Sequence, residues 1–335
     1  MPGTPTETDT RRARQHARKV MKGLRVDIEQ FMQEEGMQIW QETAGSPREK
    51  ARRLNELITR MASERFREDL EPWLDDRHEI TMRRAGNDSM EKIRQAFQGQ
   101  IDEEDLIGAA GRLTSKDRQL ASVQRQIDAG MLYEDGDSIA EELGDRVSRQ
   151  LQQGFGNNEP VSSTDPEKMD LKKRVKMVME DSDIPGRRGT GESGMTIQQK
   201  AEMIAHDSVQ DAHTSAAHQR YLNNGFRYAE YDAVIDNKTS EVCDRLDGEI
   251  IDLVDSPELK PPNHPWCRSD IIPLLELPDG ATPITMDDIG QEHLNLIQGT
   301  NQFRPTAIDT SEEFNPTVLT EHQQRAEANR ADLLG

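Results

Sequence analysis

Aromatic side chains are scarce in this 335-residue chain: Phe, Trp and Tyr together make up only 4%. There are only two cysteines. Hydrophobic residues of every kind reach 33%, and mean hydropathy is −0.87. Each shortage excludes something. Two cysteines cannot build a disulfide framework. With so little apolar surface, no single core spans the chain, because burial cannot offset the ordering of that many residues. No apolar run approaches the ~20 residues of a bilayer span, so no membrane partner is expected. The opening MPGTPTETDT lacks the apolar stretch of a secretory signal. A reducing cytoplasm is the expected setting for folding and assembly.

Lysine is the other shortage. Acids number 63 against 42 bases, for a net charge of −21, and only 12 of the bases are Lys. Abundant Asp and Glu with little Lys point to concentrated salt, where screening over ~3 Å removes the self-repulsion. Against this acidic background, residues 11–25 (RRARQHARKVMKGLR) carry seven bases and no acid. The run reads as a solvated helix face or as a basic arm that contacts DNA or an acidic partner.

What is present is mostly helical periodicity. Val20, Leu24, Ile28, Phe31, Met32 and Ile39 recur at steps of three and four. After a break at Gly45-Ser46-Pro47 the pattern resumes with Leu54, Leu57, Ile58, Met61, Leu70 and Trp73, and later with Ile139, Leu143, Val147 and Leu151. Such narrow stripes need cover from neighbouring helices or another chain, so self-association is a candidate. The sequence predicts a disordered basic N-terminus at 1–17 and a helical region at 18–155. A linker with a short helix follows at 156–195, then a compact unit at 196–280 and an extended C-terminal arm at 281–335. The loop Gly189–Gly194 fits G-x-G-x-x-G, but no strand precedes it, and it carries no nucleotide-site reading.

The compact unit opens with a capping box, Thr196 and Gln199, and a long helix that stops at Gly225. His206, His213 and His218 on that helix are expected to be solvated. Residues 227–235 read as a strand. Ser240 caps a short helix holding Cys243, although Asp247-Gly248 is also a candidate hairpin turn. Residues 249–253 read as a second strand. The overall fold class is mainly α, with an N-terminal helical region and a small α+β domain.

Both cysteines and His264 fall within 25 residues. Cys243, His264 and Cys267 can bind a structural zinc, with Asp236, Asp244 or water as the fourth ligand. The alternatives are a disulfide, buried small side chains with a hydrogen-bonded His264, or a nucleophilic Cys–His pair. That last reading needs an orienting acid and an oxyanion hole, and neither can be located in the sequence.

The string Asp236-Asn237-Lys238-Thr239-Ser240-Glu241-Val242-Cys243, then Leu246-Asp247-Gly248, then Pro261-Pro262-Asn263-His264-Pro265-Trp266-Cys267-Arg268-Ser269, closely resembles the phage Mu F-like minor head protein family, over roughly 168–278. Lys238, Ser240 and Ser269 depart from its commonest pattern. The resemblance implies a structural, non-enzymatic minor head protein of a tailed virus. Such a protein sits in the virion head near the portal, partnered by the portal or major capsid protein, and acts in head morphogenesis and DNA packaging or delivery. With the acid-rich composition, the host is expected to be a halophilic archaeon. The rival functions are a metal-dependent nuclease acting on virion DNA and a nucleic-acid-binding adaptor. No H-E-x-x-H or paired-carboxylate motif supports the first, and the net charge opposes the second.

Overall fold

The computed structural model describes residues 5–97, 139–141, 143–146, 196–285 and 288–289. The expected linker up to Met195, with its basic patch and glycine loop, and the C-terminal arm beyond Ile289 lie outside these residues. The described residues are mainly helical, with one three-stranded sheet. They fall into two compact units. One is drawn from 12–74 and 132–205, the other from 1–11, 75–131 and 206–335.

Helix α1 (Pro5–Phe31) runs through a π-turn at Met32–Gly36 into α2 (Met37–Glu42). Residues 5–17 were expected to be disordered but are helical, because Ala13 and Ala17 are buried and Asp9 ion-pairs with Arg84. Helix α3 (Pro47–Arg65) begins where the sequence breaks. Ser46 and Glu49 form a reciprocal capping box, with Pro47 in the first turn, where its missing N–H costs nothing. A second π-turn, Phe66–Leu70, leads into α4 (Glu71–Ala96).

In the first unit the stripes fill the interior: Val20, Leu24, Ile28 and Met32 from one run, and Leu54, Ile58 and Leu70 from the other, are all buried, joined by Phe66. His16 stacks on Trp73 at 4.4 Å and also reaches the Asp69 carbonyl at 3.0 Å. Among the described residues, the exposed large apolar side chains are Val26, Val234, Ile235 and Ile272. The stripes are therefore covered largely within the chain.

Part of the basic run is also used internally. Arg18 donates two hydrogen bonds to the buried Glu202 carboxylate, at 2.9 and 2.7 Å, and Arg14 stands 4.0 Å from it. Arg11, Lys19 and Lys22 remain exposed.

Helix α5 (Ile197–Asn223) begins at the expected capping box within the first unit, and its length from His206 onward belongs to the second. Gln199 N–H donates to Thr196 Oγ1 at 3.0 Å, and Thr196 N–H donates to Gln199 Oε1 at 2.8 Å. The helix ends with Gly225 at φ 79°, and Phe226 N–H reaches back to the Tyr221 carbonyl, as a left-handed stop requires. Strand β1 (Tyr228–Asp232) is central, flanked antiparallel by β2 (Ile250–Asp252) and β3 (Asp270–Leu274). The short helix α6 (Glu241–Leu246) lies between β1 and β2, so Asp247-Gly248 follows a helix and is not a two-residue hairpin. β1 stops at Asp232, and the two apolar residues expected to extend it, Val234 and Ile235, are exposed.

The core of this unit joins Ala229, Tyr231, Ile251 and Ile271 of the sheet to Tyr221 and Phe226, to Val242 and Leu246, and to Met90, Ile93 and Phe97 from the end of α4. Residues 196–280 therefore share their interior with a helix far upstream in sequence. The three histidines of α5 are buried, contrary to their expected solvation. The small residues of α5 let neighbours approach closely on most sides. Each histidine meets a partner: His206 meets Asp207 at 2.8 Å, His213 meets Asp88 at 4.0 Å, and His218 Nε2–H donates to the Leu253 carbonyl at 2.8 Å.

Candidate metal centre

Cys243 lies in the first turn of α6. Ser240 sets its position by accepting the Cys243 N–H at 3.2 Å as the N-cap. His264 and Cys267 lie on the loop that leads into β3. Helix α5 holds that loop at two points one turn apart: Asp207 accepts the Trp266 N–H at 3.0 Å, and Gln210 donates to the Ser269 carbonyl at 2.8 Å. Trp266 itself adopts a left-handed backbone, φ 64°. Asp207 also accepts from His206, so one carboxylate ties helix and loop together.

These elements bring three donor atoms within 4.8 Å of one another: Cys243 Sγ, His264 Nε2 and Cys267 Sγ. The Cys243–His264 distance is 2.9 Å, and the two sulfurs are 3.7 Å apart as free thiols. Both cysteines are buried. His264 Nδ1–H donates to the Pro265 carbonyl at 2.7 Å, which fixes the ring and turns Nε2 toward the sulfurs. This is the outer support that metal-binding imidazoles need.

The electrostatics fit two sulfurs and one imidazole. The Cys267 thiol foremost, with His264 and Ser269, donates to Cys243 and holds its thiol down to about 3, against the upward pull of burial. Burial and the adjacent Cys243 thiolate push Cys267 well above its ordinary value. Burial alone lowers the His264 imidazole, but the Cys243 sulfur beside it outweighs that and raises it. Yet Cys267 Sγ also receives the backbone N–H groups of Asn263 and Ser269. The pocket thus supplies hydrogen-bond donors for two thiolates, with Arg268 as the permanent cation in electrostatic reach of both sulfurs. Two adjacent buried negative charges cannot coexist without more positive charge. A divalent cation in place of the Cys267 proton supplies it.

Distances support the same chemistry. Sulfurs bound to one tetrahedral zinc at ~2.3 Å stand ~3.8 Å apart, which the observed 3.7 Å separation matches. The imidazole, at 2.9 Å from Cys243, has to withdraw by about 0.6 Å to reach a tetrahedral sulfur–nitrogen edge of ~3.5 Å.

Asp236 does not join the group. Its carboxylate accepts two bonds from Arg268, at 2.9 and 2.7 Å, and one from the Lys238 N–H; together, Arg268 foremost, they hold it at about 2. Asp244 also stays outside, exposed on α6. A carboxylate in a turn of this kind is a good loop staple, and spacing alone does not distinguish it from a ligand. Tyr231, Asn263 and Gln210 were not anticipated as part of the site, and Asp207 reads in the sequence only as an acid beside His206. Asp207 and Gln210 left a faint signal in their i, i+3 spacing on one helix face. Tyr231 left none beyond its inward phase on β1.

Residues 141–272 match the family model described as Phage Mu protein F like protein. This span, less than half of the chain, contains α5, β1, α6, β2 and all three donors. No curated protein and no solved structure matches the chain.

Proposed function

We propose, from the match of residues 141–272 to the family described as Phage Mu protein F like protein, that the chain is a minor head protein of a tailed virus. In this reading it resides in the virion head near the portal, is assembled in the host cytoplasm, and serves head morphogenesis and DNA packaging or delivery. Its partners are the portal protein, the major capsid protein or further copies of itself. Contact with DNA falls to the exposed Arg11, Lys19 and Lys22, since Arg14 and Arg18 are engaged by Glu202. The excess of acid over Lys supports a halophilic archaeal host. Among the described residues, no helix is long and apolar enough to cross a membrane.

The role is non-enzymatic, with Cys243, His264 and Cys267 holding one structural zinc. Zinc here adds folding energy by clamping α6 to the loop before β3. The burial of both sulfurs supports this over the nuclease reading, which needs a metal position open to substrate. The observation that carries the proposal is the family match over the segment that builds this centre. Mass spectrometry of purified particles of the encoding virus tests it. The chain is expected in far fewer copies than the shell protein. Particles that contain capsid and portal proteins but never this chain would reject the proposal.

A further inference from the structure

Three protein donors leave one corner of a tetrahedral site to be filled. The candidate carboxylates are placed elsewhere: Asp236 pairs with Arg268, Asp207 with His206 and the Trp266 N–H, and Asp244 is exposed on α6. Two hydroxyls approach the sulfurs. Ser269 Oγ–H donates to Cys243 Sγ at 3.1 Å. Tyr231 is different, because its oxygen faces both sulfurs, at 3.2 Å from Cys243 and 3.9 Å from Cys267. Sulfur and oxygen corners of one tetrahedral zinc stand ~3.5 Å apart, and the two Tyr231 distances bracket that value.

Its mounting suits a ligand as well. Tyr231 is fully buried on the central strand β1, paired on both sides, so its ring is held by the most constrained backbone of the unit. Asn263 Nδ2–H points at the phenolic oxygen at 3.4 Å, leaving the phenol's own hydrogen directed toward the sulfurs.

We infer that Tyr231 is the fourth donor of the centre, completing a set of two sulfurs, one nitrogen and one phenolate oxygen for a zinc-class divalent cation. The inference rests on the metal reading of Cys243, His264 and Cys267. As the metal bonds form, the phenol O–H breaks and its proton leaves to water, as do the Cys267 proton and the one shared by Cys243 and His264. His264 then binds as the neutral imidazole, and the one negative charge left on the set is balanced by Arg268. The completed site has no corner open to solvent or substrate, because Tyr231 and Cys267 are fully buried. The metal then acts as a staple joining β1, α6 and the loop before β3, in addition to the hydrogen bonds already linking them.

Zinc titration of the full-length chain, stripped of metal by a chelator and kept reduced, tests this. Wild type should bind one zinc per chain and develop the ultraviolet difference spectrum of one tyrosinate. Tyr231→Phe keeps the ring and removes only the oxygen. It should lose that signal and bind zinc about 10-fold more weakly in competition with a chromophoric chelator. Zinc binding by wild type without a tyrosinate signal overturns the assignment, and needs no variant to fold. Equal affinity in Tyr231→Phe, with circular dichroism matching wild type, overturns it too. No zinc binding by wild type instead overturns the metal reading beneath it.

Discussion

Removing Glu202 tests how the basic run of α1 is used. The Glu202 side chain is 5% exposed and accepts from Arg18 at 2.9 and 2.7 Å and from Gln198 at 2.8 Å. Burial pushes this carboxylate up, but the Arg18 and Gln198 bonds outweigh it and hold the group below its ordinary value. A charge-assisted pair of this kind contributes about 1.5–3 kcal/mol. The Arg18 side chain is 55% exposed, and solvent screening brings the expected coupling to the lower end, about 1.5 kcal/mol. Glu202→Ala frees a guanidinium that can rehydrate. Arg18→Ala leaves a buried carboxylate facing only Gln198 and a distant Arg14, and should cost more, about 2–3 kcal/mol. Urea unfolding of the two single variants and the double variant closes the cycle. The pair's contribution is present above the unfolded carboxylate value of ~4.3 and fades as pH falls through the lower folded value. A coupling below about 0.5 kcal/mol at neutral pH would refute the assignment, and the run would then be a solvated face after all.

Cys267→Ala should abolish the one zinc expected per chain, read by elemental analysis, and lower the unfolding midpoint of the metal-loaded protein. His218 is buried as a neutral donor to Leu253; burial first, then Lys260, lowers it to about 4. Its stabilising contribution is complete above the unfolded value of ~6.5 and should shrink by roughly 1.5 kcal/mol between pH 6.5 and 5. His218→Gln should flatten that slope in urea melts, and an unchanged slope would contradict it. Dilution from molar to tenth-molar salt lengthens screening from ~3 to ~10 Å and should loosen the fold at net charge −21. Circular dichroism that does not change on that dilution would count against the halophile reading.

The features legible in the sequence were the ones written in neighbouring residues. The capping box at Thr196–Gln199 appears as spelled, as does the Ser240 cap. The α1 and α3 stripes point inward because a 3.6-residue period places every third or fourth side chain on one face. Strand β3 was not among the strands read from the sequence; its Pro273 is tolerated because β3 lies at the edge of the sheet, where a missing N–H leaves no partner unsatisfied.

For the metal centre, the sequence determined the identity of three donors and their nearness along the chain. Only the tertiary structure decided the rest. Asp236 and Tyr231 lie five residues apart, flanking the end of β1. The fold gives the first to Arg268 and the second to the sulfurs. Spacing cannot separate them, because which groups converge depends on how α5, β1 and the loop before β3 pack. The same holds for the α5 histidines and for Met90, Ile93 and Phe97. Their burial comes from residues distant in the chain, Leu253 for His218, Asp88 for His213 and the sheet for Met90, Ile93 and Phe97, and no local pattern encodes such a surface.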